Sequence, residues 1–237
     1  MMEKFMAEML GTAFLILLGN GAVAAVVLKG TKSEGAGWLA ITVSWALAVT
    51  MGVFTAGQIS GAHLNPAVTI ALAASGSFEW ALVPIYIAAQ FFGAALGAVL
   101  VYFHYFPHWL RTDDADAKLA VFCTAPAIRH TPSNFLSEFL GTFALLFGLS
   151  AIGSNRFADG INPLVVGGLV LIIGLALGGT TGYAINPARD LAPRLIHFLL
   201  PIDKKRDSDW QYAWIPVVAP ILGGICGAFC YKFCLGH

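Results

Sequence analysis

Apolar residues in this chain are gathered into runs, and the length of those runs decides what it can fold into. Six of them, residues 5–28, 38–56, 80–106, 135–152, 161–178 and 210–231, approach or exceed the roughly 20 mostly apolar residues a helix needs to cross a hydrocarbon core of about 30 Å. Only 11% of the residues are charged and 58% are apolar, whereas a soluble domain carries about 25% charge. A water-facing surface cannot be assembled from that inventory, and the expectation is an all-α, multi-pass membrane protein. Only Lys4 precedes the first run as a basic residue, and no clear cleavage site follows it, so it reads as a span and not as a removed signal. Thirteen basic and thirteen acidic residues balance, which leaves no electrostatic excess to hold nucleic acid.

Two shorter apolar segments, 66–75 and 187–199, break the scheme, and each opens on Asn-Pro-Ala after a glycine-rich approach. About ten helical residues reach about 15 Å, half a bilayer. Irregular backbone at that depth requires protein or a water-filled cavity to satisfy it. Both segments are therefore predicted to be re-entrant half-helices.

The chain also repeats itself. Glu8-Met-Leu-Gly11-Thr12 returns as Glu138-Phe-Leu-Gly141-Thr142, 130 positions later, and the same offset carries Ala89, Gly93 and Gly97 onto Ala219, Gly223 and Gly227. Asn65 and Asn186 are 121 positions apart. Three spans per copy is an odd number, so the second copy enters the membrane in the opposite sense, an inverted repeat. The predicted division is residues 1–107, a polar connector 108–134, and residues 135–237. The small-residue runs at 89–97 and 219–227 permit close helix approach, either around the half-helices or between subunits. Cys123, Cys226, Cys230 and Cys234 do not make a disulfide framework; the last three recur every four residues and read as small packing residues on one helix face.

Proline suits the first helical position, and the Asn before it can cap free amides. With both half-helix N-termini meeting near the midplane, each contributing roughly half a positive charge, the centre repels cations and hydronium. The Asn65 and Asn186 amides remain able to donate to a passing neutral oxygen.

Gly61-Ala62-His63-Leu64-Asn65-Pro66-Ala67-Val68 and Gly182-Tyr183-Ala184-Ile185-Asn186-Pro187-Ala188-Arg189 resemble the paired signature of the aquaporin family. The resemblance covers nearly the whole chain, Glu8 and Glu138 included. It implies six spans and two half-helices around a pore in each subunit of a homotetramer, with both termini in the cytoplasm. It also implies passive conduction of water or small neutral solutes, with no cofactor and no turnover chemistry. Charge bias alone argues the other way: Lys4, Arg156 and Lys232 lie on the side of the termini, against Lys29, Lys32, Arg111, Lys118, Arg129, Lys204, Lys205 and Arg206 on the other, so the positive-inside rule places the termini outside. Short termini without targeting elements suggest a bacterial cytoplasmic membrane.

Spacing from the Asn-Pro-Ala motifs carries the family's four selectivity positions onto Trp45, Gly174, Tyr183 and Arg189. Glycine at 174 resembles the wide filter of the glycerol-conducting branch, where strict water channels have a histidine. Trp45 and Tyr183 would form an apolar corner for a polyol's carbons, with the Arg189 guanidinium taking its hydroxyls. Asp190, Arg194 and Pro220-Ile221 match the same branch. Tyr183 departs from the phenylalanine common there, which leaves undissociated lactic acid, dihydroxyacetone and urea as alternative solutes and a water-selective pore as the rival within the family.

Backbone carbonyls of Gly61, Ala62, His63 and Leu64, faced by those of Gly182, Tyr183 and Ala184, are expected to form acceptor ladders along the pore. Glu8 and Glu138 are costly inside spans unless buried and hydrogen-bonded; the family resemblance implies that they accept hydrogen bonds from loop amides, and Gln90 is expected to brace a loop. A metal or gating role for His63 and a proton relay through the glutamates are the alternatives. An ion-coupled transporter would need an acidic cluster or carbonyl cage, and an enzyme a nucleophile and base or a metal-ligand spacing; neither pattern is apparent in the sequence.

Overall fold

The computed structural model describes residues 1–235, and among them all regular structure is helical. Five helices of 20 to 26 residues are long and apolar enough to cross a membrane: α1 (Met2–Val27), α2 (Gly37–Ser60), α4 (Val83–His104), α7 (Thr131–Gly153) and α10 (Ile215–Cys234). Between them lie the short α3 (Pro66–Ala74) and α9 (Pro187–Leu199). The connector contains α5 (Phe106–Arg111) and α6 (Ala115–Ala120). Asp114 caps α6 by accepting from the amides of Asp116 and Ala117 at 2.9 and 3.0 Å.

Prolines and glycines explain where the helices depart from the apolar runs. The third run opens as a 3-10 turn at Trp80–Leu82 because Pro84, which has no N–H, fits only the first turn of α4. Residues 210–214 are turns for the same reason, and α10 starts beside Pro216. The fifth run, expected over 161–178, becomes α8 (Asn162–Ala176), only 15 residues or about 22 Å. Gly178-Gly179 ends it, since glycine is a poor helix continuer.

Pairs of helices pack in a pattern that occurs twice. Helix α4 lies on α1, and a Cβ on Gly93 or Gly97 would run into the Met9 or Ala13 carbonyl. Helix α10 lies on α7, where Gly223 and Gly227 stand in the same way against Phe139 and Phe143. The paired glycines thus bring long helices together, instead of surrounding the half-helices as their first reading suggested. Gly224 is the one that faces α3, 3.4 Å from the Ala67 carbonyl at its Cβ position. Helix α3 rests on α10 and α9 on α4, so each short helix is held by a long helix from the other copy.

The polarity of the molecule is that of a membrane protein. Leu47, Phe92, Phe103 and Ile172 are more than half exposed, while Glu8, Gln90, Glu138, Asp190 and Arg194 are wholly buried. Such a continuous apolar exterior belongs against lipid. Cys226 and Cys234 are exposed and Cys230 is half-buried; these three stand on the outer side of α10 and do not pack the interior, whereas Cys123 is buried.

Candidate functional site

The two Asn-Pro-Ala segments meet head to head. Asn65 Oδ1 accepts from the Ala67 amide at 2.9 Å, and Asn186 Oδ1 from those of Ala188 and Arg189 at 3.0 and 3.2 Å. Each amide group then crosses to the opposite loop: Asn65 Nδ2 donates to the Ile185 carbonyl and Asn186 Nδ2 to the Leu64 carbonyl, both at 2.8 Å. An NH2 group has two hydrogens, so each Asn keeps one for the lumen. Pro66, Ala67, Pro187 and Ala188 lie buried behind the caps.

The approach loops are forced into unusual backbone. Gly61, Ala62 and Leu64 have φ of 84, 50 and 51°, and Gly182, Tyr183 and Ile185 have 84, 37 and 43°. Positive φ costs a non-glycine residue on the order of 1 kcal/mol, and buried carboxylates offset it. Glu8 accepts from the amides of His63 and Leu64 at 2.9 and 2.8 Å, from Ser60 Oγ at 2.6 Å and from Gln90 Nε2 at 2.8 Å. Glu138 accepts from the amides of Ala184 and Ile185 at 3.0 and 2.9 Å and from Thr181 Oγ1 at 2.7 Å. Charge-assisted bonds of this kind are about twice as strong as neutral ones. The His63 ring packs between Phe78 and Tyr86 with Nδ1 3.1 Å from Thr69 Oγ1.

A cavity of about 580 Å³ runs through this junction, from Trp45, Tyr183 and Arg189 at one end, past Asn65 and Asn186, to Lys232 at the other. Gly61, Ala62, His63, Leu64 and Ala184 border it, opposite an apolar wall that includes Val49 and Leu149. At the first of these ends Arg189 Cζ stands 4.3 Å from the Trp45 ring centroid, a cation–π stack. Tyr183 Oη and Arg189 Nη1 are buried, and neither has a hydrogen-bond partner among the described residues.

Sequence comparison assigns this architecture. A family model described as major intrinsic protein matches residues 1–231. The chain belongs to the major intrinsic protein family. A "Probable glycerol uptake facilitator protein" from Thermotoga maritima is 59% identical over 217 residues, 92% of this chain and 93% of the relative. A "Glycerol uptake facilitator protein" from Bacillus subtilis is 56% identical over 92% of this chain and 79% of its own length. The solved aquaglyceroporin from Plasmodium falciparum superposes with a TM-score of 0.87 at 29% identity, covering 99% of this chain and 96% of that one. Within the family the chain sits among the glycerol-facilitator relatives. It is a multi-pass plasma-membrane protein of a channel family and not an enzyme.

For a major intrinsic protein the details behind the cavity wall matter as much as the wall. Gly174 does not border the cavity; the Tyr183 ring lies over it, and a Cβ there would sit 2.8 Å from Tyr183 Cζ and 3.0 Å from Thr42 Cγ2. Gly178 serves the same seat, its Cβ position 2.5 Å from Tyr183 Cδ1. Trp38 closes the arrangement: its indole N–H donates to the Gly174 carbonyl at 3.1 Å, and its ring meets Tyr183 edge-on at 5.7 Å. Trp45 lies flat against Gly19, where any side chain would overlap the indole. The Cβ position of Gly182 likewise meets Thr124, at 3.2 Å from its Cγ2.

Thr124 comes from the connector and ties it to α9. Its amide and hydroxyl both donate to Asp190 Oδ2 at 2.7 Å, while Arg194 pairs with Asp190 Oδ1 at 2.7 Å and donates to the Thr124 carbonyl at 2.9 Å and the Ser208 carbonyl at 2.8 Å. Trp38, Gly178, Gly19 and Thr124 carried no sequence signal of their own, because their roles depend on which distant residue they face. Among the described residues no three His, Cys, Asp or Glu side chains gather where they could hold a metal ion.

Proposed function

We propose that the chain is a passive channel for glycerol and related small neutral solutes. Two oppositely inserted copies, residues 1–107 and 135–237, are joined by the connector 108–134 and together supply six spans and two half-helices. In this reading α8 is the sixth span, both termini face the cytoplasm, and four copies assemble into a homotetramer. Trp45, Gly174, Tyr183 and Arg189 form the selectivity filter. Asn65 and Asn186 receive the solute's oxygens at the centre, with Pro66, Ala67, Pro187 and Ala188 fixing the caps. Carbonyls of residues 61–64 and 182–184 complete the polar side, and Glu8, Glu138 and Asp190 hold the loops.

The observation that carries this reading is the pairing, at the Trp45 end of the cavity, of an apolar corner with the Arg189 guanidinium, which borders the cavity and makes no side-chain hydrogen bond among the described residues. An unmet buried donor or acceptor costs about 1–3 kcal/mol, and a polyol relieves that cost with its hydroxyls while its carbons lie against Trp45. Water meets the polar side but leaves the apolar corner unused, so some water passes without being the favoured solute. Hydronium meets two helix N-termini and the Arg189 charge and is turned away.

The test is osmotic. Purified protein in liposomes, placed in a glycerol gradient and followed by stopped-flow light scattering, is expected to show shrinkage followed by re-swelling well above that of empty vesicles. Rapid water efflux with glycerol re-swelling equal to empty vesicles overturns the proposal.

A further inference from the structure

Each half-helix ends on a lysine that it does not itself contain. Lys205 Nζ donates to the carbonyls of His197, Phe198 and Leu200 at 2.5, 2.8 and 2.6 Å, using all three ammonium hydrogens on the C-terminus of α9. Lys232, in the last turn of α10, donates to the carbonyl of Ser75, the residue that caps the C-terminus of α3, at 2.7 Å.

The two lysines are not copies of each other. The 130-residue offset that relates α10 to α4 puts Tyr102 at the place of Lys232, and the 121-residue offset that relates α9 to α3 puts Pro84 at the place of Lys205. One lysine comes from a loop just past its half-helix, the other from a long helix that follows in the other half of the chain. The same end state reached by different routes separates this feature from a relic of duplication.

A helix carries about half a negative charge at its C-terminus. In helices of 9 and 13 residues, about 14 and 20 Å long, that negative end is close enough to offset part of the positive potential at Asn65 and Asn186. An ammonium on the terminal carbonyls removes the offset and reverses its sign. The geometry points to Lys205 and Lys232 as positioning residues for ion exclusion: they act through α3 and α9 to hold the pore centre positive, and touch no solute there.

This inference rests on the cavity being the conducting path, and one experiment separates the two. Vesicles reconstituted with wild type, with Lys205→Gln and with Lys205→Arg are assayed for glycerol re-swelling and for potential-driven proton flux reported by an entrapped pH dye; Lys205 is the one varied because Lys232 also borders the cavity. Wild-type glycerol flux tests the path itself. Glutamine keeps an amide donor and loses the charge. The expected result is proton flux above the empty-vesicle level rising several-fold in the Gln variant, the size expected of one charge acting from about 20 Å at an effective dielectric of about 20, with glycerol flux within about twofold and the Arg variant matching wild type. Unchanged proton flux in a Gln variant that conducts glycerol overturns the inference. So do equal effects of Gln and Arg, or a Gln variant that fails to reconstitute where Arg succeeds, since each assigns Lys205 to helix stability alone.

Discussion

The loops at residues 61–65 and 182–186 share a backbone and differ in purpose. Both alternate through positive φ, both hang from a buried glutamate, and both end in an Asn that caps its own helix and bonds the other loop. Beyond those shared features the side chains diverge. Where the second loop has Tyr183 the first has Ala62, where α9 has Arg189 the first half-helix has Val68, and where α9 has Asp190 and Arg194 the first has Thr69 and Ala73. Duplication explains the frame, and the proposed filter lies where the copies stopped matching. The second half places a charged, clamped group at its end of the cavity, while the first keeps a neutral wall on which Val68 is buried and borders the cavity.

The shared features should respond alike, and with the largest effects. Glu8→Ala strands four donors and Glu138→Ala three, each unmet group costing about 1–3 kcal/mol. Both variants are expected to lose the folded channel, seen as aggregation on size exclusion and absent glycerol flux. A stable, conducting Glu138→Ala protein would break the equivalence of the two loops.

The unshared clamp should respond unevenly. Asp190→Ala leaves Arg194 buried without its partner, and breaking such a pair costs about 3–5 kcal/mol. Thr69→Val, at the matching position, removes only neutral hydrogen bonds, worth about 1 kcal/mol each. Thermal unfolding in detergent should therefore fall much further for Asp190→Ala. Equal losses would mean that the second loop is held no more tightly than the first.

Copying one loop onto the other tests the filter. Arg189→Val gives the proposed filter the first copy's residue, and water flux is expected to rise several-fold with a proton leak appearing, since one full charge leaves that end of the cavity. Proton tightness retained in that variant would move ion exclusion wholly to the pore centre. The smallest effect belongs to Tyr183→Phe. It deletes the unpartnered Oη, a matter of about 1 kcal/mol, so glycerol flux is expected to change less than about threefold, with the shift largest for solutes richest in hydroxyls. A tenfold loss would make that oxygen a principal solute contact.

Much of this was legible in the sequence because it is written locally or twice. Asn-Pro at a helix start specifies its own cap, the recurrence of Glu8 as Glu138 marks the duplication, and the family resemblance implies the bonds from both carboxylates to their loops. The expected bounds of α9 coincide with Pro187–Leu199. Legibility failed where apolar composition does not distinguish helix from turn, as in residues 80–82 and 210–214, whose tryptophans suit an interfacial turn as well as a span. It failed again at the filter's supports. Gly174 reads in sequence as an opening in the lumen, but its missing side chain is the seat of Tyr183. Trp38 and Thr124 are chosen by residues 145 and 66 positions away, and no periodicity announces such pairings.

That seat gives the most direct measurement of the account. A histidine at 174 cannot coexist with Tyr183 in its present position, since even a Cβ would lie 2.8 Å from the ring, so imidazole or displaced phenol must enter the lumen. Stopped-flow scattering of Gly174→His proteoliposomes is predicted to show water efflux retained and glycerol re-swelling reduced to that of empty vesicles. Glycerol flux equal to wild type, in protein shown to be reconstituted at the same density, would contradict the placement of selectivity at Trp45, Gly174, Tyr183 and Arg189.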